Sequence, residues 1–117
     1  MKVIQLDKEG FKKEVFDYEA SDEFKYIGKK SAIIDFYADW CAPCKALAPI
    51  LDELANKYAD DIIIYKIDTE AEQELSAMFN IRSIPTMLFI PLEGKPTMSN
   101  GALPKNELVK IIEGELR

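Results

Sequence analysis

"AIIDFYADWCAPCKALAPILDELA", residues 32–55, changes its hydrophobic period half-way along. Its first part, taken with Ser31, is the apolar and aromatic run "SAIIDFYA" (31–38), interrupted only by Asp35. Such a run reads as a strand buried on both faces. From Leu47 the apolar residues fall at 47, 50, 51, 54, 55 and 58, the stripe of an amphipathic helix. Pro49 lies inside that helix and removes one backbone N–H, so a kink is expected there. "DWCAPCK" (39–45) sits at the change of period and holds the only two cysteines of a chain without histidine. A thiol that opens a helix meets unpaired N–H groups and the positive end of the helix dipole, which favour the thiolate. Cys44 lies one turn further on, within reach of Cys41. Pro43 has a fixed φ suited to a first helical turn, and Ala42 is too small to cover a sulfur. The arrangement suits reversible disulfide formation, with Cys41 attacking a substrate disulfide and Cys44 resolving the mixed disulfide. The alternative is an inert pair of core cysteines at i and i+3; Trp40, Pro43 and the strand-to-helix position argue for redox use.

The rest of the composition narrows the field. The 117 residues read as a single domain, 1–117, with 48% hydrophobic and 31% charged residues, no repeat and no linker. A net charge of −6, with Lys and Arg scattered in ones and twos, argues against a nucleic-acid or anionic-membrane partner. No run approaches the roughly 18 apolar residues of a membrane span. The start, "MKVIQLDKEG", lacks the apolar core of a signal peptide, which points to the cytoplasm. An exported protein whose leader had been removed would begin the same way. Two cysteines are too few for a disulfide-stapled secreted domain or a four-ligand zinc site, and without histidine Cys–His protease chemistry is ruled out. No metal and no cofactor is expected.

Along the chain, "VIQL" (3–6) reads as a strand and Asp7 as a helix N-cap. Phe11, Val15 and Tyr18 give helical spacing over 11–27, loosening near Ser21 and Asp22. "DIIIYKID" (61–68) is a strand. "AEQELSAMF" (71–79) is a helix with Leu75, Met78 and Phe79 on one face. "TMLFI" (86–90) and "PTMSNGA" (96–102) are strands around a turn at Glu93 and Gly94. The closing helix spans 104–116, with Pro104 in its first turn and Leu108, Ile111 and Ile112 facing the core. The order is βαβαβαββα, an α/β protein with helices on both faces of one sheet.

"IDFYADWCAPCK" (34–45) resembles the active-site segment of the thioredoxin family. Its Pro49–Ala55 continuation, "RSIPT" (82–86) and Gly101-Ala102 match further motifs of that family in the same order, so the likeness spans essentially the whole chain. The resemblance implies a thioredoxin fold, a central mixed five-stranded sheet flanked by four helices. It also implies a protein-disulfide reductase acting through a Cys41–Cys44 dithiol/disulfide. Its partners would be disulfide-containing proteins and a thioredoxin reductase, and nothing in the sequence demands more than a monomer. From pattern alone Asp35 is either at a solvated strand edge or buried beneath a central strand; the resemblance puts it under the dithiol as proton carrier for the resolving thiol. Lys66 matches the family lysine that tunes this aspartate, against the plainer reading of a packed stem with its amine in water. The resemblance further implies a cis Ile84–Pro85 bond facing Cys41, where sequence alone suggests an ordinary trans turn. Trp40, Ala42, Pro43, Ile84, Pro85, Gly101 and Ala102 would then make the substrate-docking patch.

Two features depart from the family pattern. Ala42 stands where glycine is usual, and the 18–30 stretch is longer and more charged. Tyr37 replaces a tryptophan of many relatives and reads as a packing substitution. Three other functions are compatible with the motif. One is an exported disulfide oxidase or isomerase. Another is a redox-silent binding module, against which both cysteines argue. The third is an iron–sulfur cluster shared between two subunits, against which Pro85 argues.

Overall fold

The structure, a computed structural model, describes residues 2–117. Its elements are β1 (Ile4–Gln5), α1 (Lys8–Glu14), β2 (Ser31–Tyr37), α2 (Ala42–Lys57), β3 (Ile62–Asp68), α3 (Gln73–Met78), β4 (Thr86–Ile90), β5 (Thr97–Asn100) and α4 (Lys105–Ile111). The chain closes with a wider π-helical turn, Ile112–Leu116. The five strands form one mixed sheet in the order β1-β3-β2-β4-β5. β1, β3 and β2 run parallel; β4 and β5 are antiparallel additions.

Alternation along the strands divides the core into two layers. Ile33, Ile64, Met87 and Phe89 point to one face, where Leu47, Leu51 and Leu54 of α2 and Leu108 of α4 cover them. Ala32, Ile34, Phe36, Tyr65 and Ile67 point to the other, against Phe11 of α1 and Leu75 of α3. β2 is therefore central and buried on both sides, as its near-continuous apolar run requires. Asp35, two residues from Ile33, must share the α2 face.

The structure corrects several element boundaries. α1 ends at Glu14 and does not continue to residue 27. The N–H groups of both Val15 and Phe16 donate to the Phe11 carbonyl, which opens the last turn. Asp17 then draws the chain into a turn, its side chain accepting from the Glu19 N–H and its carbonyl from the Ala20 N–H. The segment is held by packing: Phe16 lies 5.1 Å from Phe24, ring centre to ring centre, and Tyr18 donates its hydroxyl to Glu74 on α3. Met78 is exposed, so only Leu75 and Phe79 of the expected α3 face turn inward. Pro104 precedes the last helix as its N-cap. α2 begins at Ala42 and runs through Pro49 without a break, and Asp7 caps α1 by accepting from the Gly10 N–H.

Candidate active site

The site begins where β2 hands over to α2. Beyond Tyr37 the chain turns, the Cys41 N–H donating to the Ala38 carbonyl at 3.2 Å. Cys41 itself is extended (φ −87°, ψ 109°) and serves as the N-cap of α2. Its Sγ accepts a hydrogen bond from the Cys44 N–H at 3.3 Å, one of the donors a helix start leaves unpaired. Cys41 and Cys44 are joined as a disulfide, their Cα atoms 5.2 Å apart. Both cysteines are only 4% exposed and pack with Ala38, Tyr37 and Ile84. Around them Trp40, Ala42 and Pro43 are exposed, Trp40 to 67%. The disulfide is thus a small window in an apolar rim.

Behind it lies a cavity of about 190 Å³ lined by Asp35, Tyr37, Asp39, Cys44, Lys45 and Lys66. Asp35 is buried, and its Oδ1 has no hydrogen-bond partner. Loss of hydration pushes its pKa up to about 7, against the smaller opposing pull of the Lys66 ammonium. Asp35 and Lys66 are register partners across β2 and β3, so their side chains emerge side by side on the α2 face. A cavity of this size, with Asp35, Asp39, Lys45 and Lys66 on its wall, has room for water between the carboxyl and Cys44. The solvated-edge reading of Asp35 is therefore set aside.

The Ile84–Pro85 bond is cis. The loop is pinned by Thr86, whose hydroxyl donates to the Ser83 carbonyl, and by Gly101, whose N–H donates to the Pro85 carbonyl at 2.7 Å. Gly101 has φ +90°, a conformation that disfavours any side chain, and Ala102 follows it on the surface. Trp40, Arg82, Ser83 and Ile84 border a shallow groove of about 260 Å³ beside the disulfide. All the expected docking residues except Gly101 and Ala102 touch either the disulfide cluster or this groove or flank it in sequence; Gly101 is joined to it through its bond to Pro85, and Ala102 follows Gly101 in the chain.

Sequence reading overlooked Lys45 and Asp39 as cavity walls and treated Tyr37 as packing alone. The position of Tyr37, two residues beyond Asp35 on the same strand, was the available signal. Gln5 carried none: its amide donates to the Tyr37 hydroxyl at 2.6 Å, a contact made by the strand order.

With this geometry in view, the sequence matches the family model described as Thioredoxin over residues 2–114. The chain belongs to the thioredoxin family. It is 46% identical over 110 residues to Thioredoxin of Borreliella burgdorferi, covering 94% of each chain. It is 41% identical over 103 residues to Thioredoxin M-type, chloroplastic, of Spinacia oleracea, covering 86% of this chain and 57% of that one. A crystal structure of chloroplastic thioredoxin z superposes with a TM-score of 0.80 at 27% identity, covering 97% of this chain and 93% of the other. Family membership and the paired cysteines make the chain a protein-disulfide oxidoreductase with thiol–disulfide reductase function, in preference to the oxidase, isomerase and redox-silent alternatives. Among the described residues, no helix is long and apolar enough to cross a membrane.

Proposed function

We propose that Cys41 is the nucleophile, Cys44 the resolving thiol and Asp35 the proton carrier between them, with Lys66 tuning that carboxyl. The Cys41 thiolate attacks one sulfur of a substrate disulfide. That S–S bond breaks, a mixed disulfide forms, and the first substrate sulfur leaves as thiolate. Cys44 then gives its proton through the cavity to ionised Asp35 and attacks Cys41 Sγ. The mixed disulfide breaks, the second substrate thiolate leaves, and the Cys41–Cys44 disulfide remains. Two electrons have passed to the substrate; a thioredoxin reductase would return them. The observation that carries this reading is the Cys41 sulfur at the N-cap of α2 with an unpartnered buried carboxyl behind its partner.

Trp40, Ala42, Pro43, Ile84, Pro85, Gly101 and Ala102 form the docking surface in this reading. The backbone of Ile84 would pair with an extended substrate segment and read its shape, not its sequence. The chain acts as a single-domain monomer in the cytoplasm, with disulfide-bonded proteins as substrates. Trapping tests the roles. Reduced Cys44→Ser protein mixed with insulin should accumulate a one-to-one adduct through Cys41 that dithiothreitol releases, and Cys41→Ser should give none. Adducts formed through Cys44 in the Cys41→Ser protein, at comparable rate, would reverse the assignment.

A further inference from the structure

The order β1-β3-β2 places β3 between the other two strands, so a side-chain contact from β1 to β2 must pass over β3. Gln5 is the register partner of Lys66, and Lys66 is the partner of Asp35. Gln5, Lys66 and Asp35 therefore stand in a row across three strands, on one face. Tyr37 is two residues further along β2, on that same face. The Gln5 amide nevertheless reaches Tyr37, donating to its hydroxyl at 2.6 Å. This bond spans two strand spacings of about 4.8 Å each, across β3, the strand that carries Lys66. The Lys66 ammonium lies 5.7 Å from the centre of the Tyr37 ring, within cation–π range. Tyr37 and Lys66 both line the Asp35 cavity.

We propose that Gln5 and Tyr37 form a strap that holds the Lys66 ammonium beside the Asp35 cavity, and that both are positioning residues for proton transfer at that carboxyl. A lysine stem has four rotatable bonds, and an amine at the rim of a sheet would otherwise swing into water. The ring face and the closed strap keep the charge near the carboxyl. Other charged groups face this place: Asp39 from the turn after β2, Asp68 from β3 and Lys45 from α2. The disulfide comes from the start of α2, and Met87, the β4 partner of Asp35, is neutral. Lys66 differs from these in standing directly beside Asp35 in the sheet register. The consequence for the reaction rests on Asp35 being the proton carrier; the placement of Lys66 does not.

The test follows Asp35 itself. The carboxyl carbon of Asp35 is titrated by ¹³C NMR in the full oxidised chain, in wild type, Gln5→Leu, Tyr37→Phe, Tyr37→Leu and Lys66→Met. Moving a unit charge from about 6 to about 8 Å from a carboxyl, at an effective dielectric of about 20, changes its protonation ratio about threefold. Gln5→Leu and Tyr37→Phe should each raise the protonated-to-ionised ratio of Asp35 at pH 7 by about that factor. Tyr37→Leu, which also removes the ring, should raise it further. In the Lys66→Met background the same strap changes should move nothing, because there is no charge left to hold. Strap variants that titrate like wild type while Lys66→Met is displaced would overturn the proposal. So would equal displacements with and without Lys66, which would mark a general change of polarity. Gln5 is exposed on an edge strand, so Gln5→Leu keeps the test open should Tyr37→Leu fail to fold. An unchanged rate of mixed-disulfide resolution in Asp35→Asn would instead remove the proton-carrier role and leave the strap standing.

Discussion

Asp35→Asn should make the oxidised protein more stable at pH 8 and change it little at pH 4. The reasoning starts from burial. Folding moves the carboxyl into a site where hydration is lost and Oδ1 has no partner, raising its pKa from 3.8 to about 7. Over that interval the folded chain holds a proton that the unfolded chain releases, so stability falls as pH rises. The loss begins near pH 4 and levels off above pH 7. Each pH unit between the two values is worth about 1.4 kcal/mol, which gives about 4 kcal/mol by pH 8, rather more than half of it accruing above pH 5. Asparagine has nearly the same shape and cannot ionise, so it keeps the polar cost of neutral Asp35 and escapes the charge. The chain has no histidine, which leaves the interval from pH 5 to 7 clear of other side chains with ordinary values. Urea denaturation of wild type and Asp35→Asn at pH 5, 6, 7 and 8 reads the effect. The gap between the two curves should widen from pH 5 to pH 7 and level off towards pH 8. Parallel curves would refute the claim that Asp35 enters the fold at the cost of its charge.

Two further outcomes follow from particular contacts. Trp40→Ala removes a largely exposed side chain and should shift stability by less than about 0.5 kcal/mol. It should raise KM for a protein disulfide several-fold and leave kcat and the reduction of a small aromatic disulfide nearly unchanged, as steady-state assays on both substrates would show. Gly28→Ala would drive a methyl into the Tyr26 ring and its hydroxyl, which now donates to the Lys30 carbonyl. Displacing that ring should cost about 1 kcal/mol in urea denaturation and leave reductase activity intact.

Residues 31–58 showed their architecture in the sequence because a buried central strand and an amphipathic helix have different periods, and the dithiol marks the junction. β4 was equally plain, its five apolar or threonine residues bounded by Pro85 and Pro91. The 15–27 segment was misread because Phe11, Val15 and Tyr18 satisfy helical spacing, whereas Phe16 and Phe24 reach the core from a loop. What holds that loop is tertiary: an aromatic cluster with Phe79 and the Tyr18–Glu74 bond, neither with a local period. The end of α4 was hidden for a related reason. Ile112 and Leu116 stay buried across a widened π-helical turn, so the spacing of apolar residues alone did not betray it. At the site, the cysteines were legible as a motif, and the burial of Asp35 was left open until the sheet order made β2 central. Gln5 was invisible because its role depends on which strand lies between β1 and β2.

The most direct test of the central claim is the equilibrium potential of the Cys41–Cys44 couple, measured by thiol trapping across defined redox buffers. A protein-disulfide reductase should sit near about −270 mV, the value characteristic of thioredoxin itself, with about 30 mV corresponding to about 1.4 kcal/mol. A potential above about −200 mV would contradict the account and make the chain a donor or shuffler of disulfides.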